Sequence, residues 1–102
     1  MATRRKRDIA PVHPGEILKA DFMEPLGLSV NALSRAIGVP RTRLNDIVLC
    51  RRGITADTAM RLARYFRIGA QFWMNLQSHY ELEVAEDTYG RRLDREVRPR
   101  AA

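Results

Sequence analysis

Four side chains set the chemistry this sequence offers: Arg41, Thr42, Arg43 and Asn45, with Arg51 and Arg52 close behind. A guanidinium is a planar fork that meets a phosphate, or the O6/N7 edge of guanine, with two bonds. A carboxamide matches the N6/N7 edge of adenine, and a hydroxyl serves either base. At the start of one exposed helix, Arg41, Thr42 and Asn45 would face base edges in a major groove, with Arg43 at its rim. Ser29, Asn31, Arg51 and Arg52 would then meet phosphates, which fix register without carrying sequence.

Nothing else in the chain assembles into a reactive set. His13 and His79 have no cysteine or second histidine at ligand spacing, so no metal site is expected. Neither has a positioned Lys or Glu to complete an acid–base pair, so no catalytic residue and no cofactor is assigned. His13, before Pro14, reads as shaping the entry to a helix, and His79 as partly buried on a later one. Cys50 is the one cysteine. It can make no internal disulfide and reads as a small, semi-buried hydrophobe.

Reading residues need a scaffold, and the stretch from Leu33 to Ile47 supplies it. A helix-turn-helix crosses two short helices over a turn of three to four residues. Gly38 accepts the positive φ that such a turn requires. Ser34 keeps the crossing point small, and Leu33, Ile37, Val39, Leu44 and Ile47 fall where they lock both helices onto a domain. An ordinary αα-hairpin shares this apolar spacing. It has no need of three donors on the solvent side of a helix start, within the most cationic block of the chain.

Around that motif the periodicity predicts five helices and no strand. The first starts at Pro14, buries Ile17, Leu18 and Phe22, and ends at Pro25 and Gly27. The second covers 30–37, capped by Ser29 and closed by Gly38, and the third about 40–49. Thr55 caps a fourth, with Ala59, Leu62, Ala63 and Phe66 on its apolar side. After Gly69 a fifth covers about 70–86. The expected class is all-α: a compact five-helix domain over 13–87 with the helix-turn-helix at helices 2–3. A basic arm at 1–12 (Arg4, Arg5, Lys6, Arg7) precedes it, and a polar, Arg-rich tail at 88–102 follows, loose because of Gly90 and Pro99.

A chain of 102 residues has room for one such domain. It is 45% hydrophobic and 29% charged, a globular balance. No apolar run approaches the ~18 residues of a membrane span, and the basic start leads into no apolar signal region. A cytoplasmic location is therefore expected. The net charge is +6, and sixteen of the eighteen cations are Arg. That bias suits phosphate and guanine recognition, and equally a genome that encodes Arg cheaply. By segment the charge is +3 over 1–12, −2 over 13–34, +6 over 35–67, −4 over 68–90 and +3 over 91–102. The alternation gives one face to a polyanion and another to something else.

Residues 29–67 resemble the Cro/repressor-like helix-turn-helix superfamily. Within and around them HPGEIL (13–18), EPLGLS (24–29), RGITADTAMRLARYF (52–66) and FWMNLQSHYEL (72–82) resemble HigA-type antitoxins of bacterial toxin–antitoxin modules. The resemblance spans about 11–90 and is most specific in FW-x-NLQ. It implies a homodimer that represses its own operon and pairs with a small RNA-cleaving toxin. Just after the helix-2 cap, relatives carry a Gln that meets a phosphate; here Val30 stands there, and Asn31 is next in line. The alternatives are a stand-alone repressor without a toxin, and an inhibitor subunit that never reads DNA.

Size supports the dimer. One small domain buries little DNA surface, so a two-fold dimer on an inverted repeat is expected. Phe72, Trp73, Leu76 and Tyr80 read as core shared with that dimer interface, since a small domain cannot bury large residues on two sides of one helix. The toxin that the resemblance implies should be basic. Its candidate contact is Glu81, Glu83, Glu86 and Asp87, in a segment that has no Lys or Arg from 68 to 90.

Overall fold

The computed structural model describes residues 10–101, so Arg4, Arg5, Lys6 and Arg7 of the basic arm lie outside the described residues. Among the described residues there are five helices and no strand. α1 (Pro14–Ile17) runs straight on as a π-helical segment, Leu18–Met23. α2 (Val30–Ile37), α3 (Arg41–Val48), α4 (Ala56–Phe66) and α5 (Ala70–Glu96) follow.

The helix starts are built as their cap residues require. His13 begins α1 by accepting the Gly15 N–H at Nδ1, 2.8 Å away, while its own N–H donates to Glu16 at 3.1 Å. The two bonds satisfy donors that the first turn would otherwise leave open. Ser29 Oγ accepts the Ala32 N–H at 3.0 Å, and Thr55 caps α4 through the Thr58 N–H. Within the first helix Glu24 N–H bonds the Lys19 carbonyl, one residue further back than in an α-helix. This wider turn lets both Leu18 and Met23 reach the core.

That core is made of Leu18, Leu33, Leu44, Ile47, Leu62 and Trp73, all fully shielded, with Val39, Ile54 and Ala59 closing its gaps. Each fully buried aliphatic side chain contributes about 1.5–3 kcal/mol. Phe22, Phe66 and Phe72 pack their rings around Trp73, the nearest at 4.8 Å. The Trp73 indole N–H is buried with no acceptor among the described residues. An unmet donor costs about 1–3 kcal/mol, whereas a buried indole gains about 5 kcal/mol from its apolar area. Burial wins, so the ring stays inside. α1 packs backbone to backbone on α3: a Cβ at Gly15 would sit 1.8 Å from the Ile47 carbonyl oxygen.

Two expectations about the fifth helix need correction. The fifth helix does not stop at residue 86; α5 continues through Gly90 to Glu96, and the tail expected from residue 88 is helical for most of its length. A glycine in a helix costs only about 1 kcal/mol relative to Ala and ends it only where φ turns positive. The backbone ladder of a 27-residue helix outweighs that cost, and exposed side-chain pairs add only a little. The Thr88 hydroxyl donates to the Val84 carbonyl, Arg92 pairs with Glu96 at 3.5 Å, and the Arg92 guanidinium lies 5.2 Å from the Tyr89 ring centre. Val97 turns extended, two residues before Pro99 forbids further helix. His79 is exposed rather than partly buried, and pairs with Glu83 at 3.3 Å.

Candidate nucleic-acid interface

The motif's turn is closed by the residues expected to close it. Gly38 adopts φ 73° at the end of α2, and its N–H and that of Val39 both reach the Ser34 carbonyl. The Ser34 hydroxyl donates back to the Val39 carbonyl, so Ser34 holds the turn with two of its groups as well as fitting the crossing. α3 then departs from Pro40, and no side chain caps its N-terminus. An uncapped helix start directs N–H groups and the positive end of the helix dipole at whatever anion approaches.

Along α3, Leu44, Ile47 and Val48 turn inward, which leaves Arg41 and Thr42 exposed and Arg43, Asn45 and Asp46 half-buried. The four base-edge candidates thus lie on the outer part of one helix anchored from beneath. Ser29 and Asn31 stand exposed at the start of α2, where the Ser29 hydroxyl accepts its cap bond and keeps its own hydrogen to donate. Val30 packs against the core, so Asn31 is the exposed amide on that turn.

After α3 the chain reverses at Cys50, whose φ of 64° is left-handed although it is not glycine. Cys50 is exposed rather than semi-buried. Partial desolvation and then Glu16 raise its thiol pKa, against Lys19, so little thiolate forms at neutral pH. Arg51 and Arg52 project into solvent, with the Arg51 N–H on the Asp46 carbonyl at 2.8 Å. The loop returns to the domain at Ile54, whose N–H donates to Gln77 Oε1 of α5 at 2.7 Å.

Two contacts escaped the sequence. Arg61 of α4 donates through Nη1 to the carbonyls of Ile37, at 3.0 Å, and Gly38, at 3.4 Å, while its Nε pairs with Asp57 at 3.1 Å. Gln77 bonds Ile54 on one side and, through Nε2, Glu81 on the other, also at 2.7 Å. The i, i+4 spacing of Asp57 and Arg61 was visible, but nothing local tells that Arg61 also reaches another helix. No group of His, Cys, Asp or Glu suited to a metal ion occurs among the described residues. Nor is any of their helices long and apolar enough to cross a membrane.

The residues read as shared core and dimer surface divide. Trp73 is wholly internal, Leu76 and Tyr80 are half-buried, and Phe72 is 37% exposed. A second apolar row, Leu82, Tyr89 and Leu93, runs exposed along the far half of α5. Of the acidic residues, Glu81 holds Gln77 and Glu83 holds His79, while Glu86 and Asp87 are exposed further along the same helix.

The helix-turn-helix family matches residues 20–73, the part of the chain from the π-helical segment to the start of α5. Antitoxin HigA of Pseudomonas aeruginosa, solved with the higBA promoter, is 48% identical and superposes with a TM-score of 0.87 over 89% of this chain and 99% of its own. Virulence-associated protein I of Dichelobacter nodosus is 51% identical over 79% of this chain and 75% of its own. Antitoxin HigA-1 of Vibrio cholerae is 35% identical over 83% of this chain and 80% of its own. A helix-turn-helix placed on a five-helix core, in a chain this similar to HigA proteins along nearly its full length, makes this protein a member of the helix-turn-helix family of HigA-type antitoxins.

Proposed function

We propose that this protein is a sequence-specific DNA-binding antitoxin that represses its own operon and neutralises a cognate RNA-cleaving toxin. The observation that carries the DNA half is α3: anchored by Leu44, Ile47 and Val48, uncapped, with Arg41 and Thr42 exposed and Asn45 half-buried beside them. The same fold occurs in a HigA antitoxin solved with promoter DNA. Arg41, Thr42 and Asn45, with Arg43 at the rim, read bases; Ser29, Asn31, Arg51 and Arg52 hold phosphates. The protein works as a homodimer whose two α3 helices enter successive major grooves about 34 Å apart. Exposed Leu82, Tyr89 and Leu93 on α5, with Phe72, support an apolar subunit contact.

Titration of the DNA immediately upstream of the reading frame, against a scrambled duplex and over a range of salt, tests this. Operator preference should persist when salt has screened non-specific binding away, with two chains per site. Equal loss on both duplexes would leave only a basic surface. For the toxin half, Glu81, Glu83, Glu86 and Asp87 form the candidate contact, because an RNA-cleaving enzyme is cationic where it meets its substrate. Replacing Glu83, Glu86 and Asp87 together should weaken neutralisation in a co-expression growth assay and spare operator binding. Unchanged neutralisation would reject that surface.

A further inference from the structure

α3 is held from outside the helix-turn-helix at both of its ends. Before it, the Arg61 guanidinium bridges α4 to the last carbonyls of α2, with Asp57 fixing the other edge of the fork. The grip is close: a Cβ on Gly38 would come within 2.9 Å of Arg61 Nη1. After it, the Gln77 carboxamide, itself buried, holds the Ile54 N–H and is oriented by Glu81. A Cβ on Gly53 would meet that carboxamide at 2.7 Å, so loop and side chain are in direct contact.

We infer that Arg61 and Gln77 are positioning residues for DNA recognition: Arg61 sets the turn that aims α3, and Gln77 sets the loop that presents Arg51 and Arg52. The inference rests on the DNA-binding reading above and assigns separate consequences to the two ends. The turn governs the angle of the base-reading side chains, so loss of Arg61 degrades discrimination. The loop governs phosphate contacts, so loss of Gln77 weakens every duplex alike and reduces the number of counterions released. Neither side chain needs to touch DNA for these effects. Misplacement of a reading group by a fraction of its bond length is sufficient, because bidentate bonds are steep in distance and angle.

The experiment uses the full chain with the upstream operator duplex and a scrambled duplex, well below the melting temperature, with active fraction set by stoichiometric titration. Arg61→Ala should lower the operator-to-scrambled affinity ratio about tenfold while the slope of log K against log salt stays at the wild-type value. Arg61→Lys, which keeps a donor for the two carbonyls, should recover part of the ratio. Gln77→Met should reduce that slope by up to about 3.6, at roughly 0.9 per lost phosphate contact and two contacts in each chain of the dimer, and leave the ratio intact. The exchange Gln77→Glu with Glu81→Gln keeps an acceptor for Ile54 and should restore the slope. A slope reduced by about two in Arg61→Ala, one contact in each chain, with the ratio unchanged, would make Arg61 a phosphate ligand and overturn its assignment. Lowered melting temperatures with wild-type slope and ratio would make both residues structural only. If the wild-type chain itself shows no operator preference, the DNA-binding reading fails first.

Discussion

His13 and Tyr80 meet edge to face, with ring centroids 4.8 Å apart at 68°, so the cap of the first helix is closed by the last. The contact joins residues 67 positions apart in sequence to a cap bond that depends on the protonation state of one imidazole.

That arrangement makes stability pH-dependent. Burial holds the His13 pKa below its ordinary 6.5, with Glu16 pulling it back up more weakly. The unfolded chain therefore binds the proton more readily than the folded one. The contribution is complete above about pH 6.5 and is lost as pH falls below it, through the lowered folded-state value. Protonation also removes Nδ1 as acceptor for the Gly15 N–H. Urea midpoints should fall between about pH 7.5 and pH 5, and His13→Asn, which keeps a cap acceptor without titrating there, should flatten that part of the curve. An equal fall in the variant would place the titrating group elsewhere.

Gly15→Ala should be among the most damaging small substitutions. The added carbon would lie 1.8 Å from the Ile47 carbonyl oxygen, and both partners are backbone. Relief requires α1 to lift off α3, exposing Leu18 and Ile47, at a cost on the order of 3 kcal/mol or more. A chemical-denaturation curve within about 1 kcal/mol of wild type would show that the two helices are not so tightly apposed.

Arg67→Gly should stabilise the protein. Arg67 ends α4 at φ 60°, ψ 39°, a left-handed conformation that glycine adopts freely. Relief of that strain exceeds the added entropy of the unfolded chain, for a gain of about 0.5–1 kcal/mol. A thermal midpoint raised by a few degrees, with operator affinity reduced at most slightly, is the expected readout. A lower midpoint would mean that the Arg67 side chain contributes more than its backbone costs.

Asn45→Ala and Arg52→Ala should differ in kind. Loss of Asn45 removes a base-reading amide and should cost about 1–3 kcal/mol per half-site, relaxing preference at one base pair of each. Loss of Arg52 should weaken matched and mismatched duplexes alike and reduce the salt slope by about 2, one phosphate contact being lost in each chain of the dimer. Anisotropy titrations on a set of single-base operator variants separate the two patterns. Identical profiles for both variants would dissolve the division between reading and positioning residues.

What the sequence determined by itself is whatever depends on residues within a turn or two of each other. Ser29 and Thr55 cap the helices they precede, Gly38 takes the positive φ of the turn, and the spacing of Leu33, Ile37, Leu44 and Ile47 puts those four inside. Such features follow from bonds and faces that span three or four positions, so composition and period express them directly. Gly90 misled for the opposite reason: it weakens a helix locally by about 1 kcal/mol, a loss that the continuing backbone ladder of α5 outweighs until the chain nears Pro99. Tertiary structure alone decided that His79 lies in solvent and Trp73 inside on the same helix, since rotation of α5 is set by what packs against it. It also decided that Cys50 and Arg67 turn left-handed without glycine, a strain held in place by the surrounding core. The reach of Arg61 to the Ile37 and Gly38 carbonyls, and of Gln77 to Ile54, belongs to the same class. Such bonds join positions more than twenty residues apart, and only closure of the core brings their atoms within hydrogen-bonding distance.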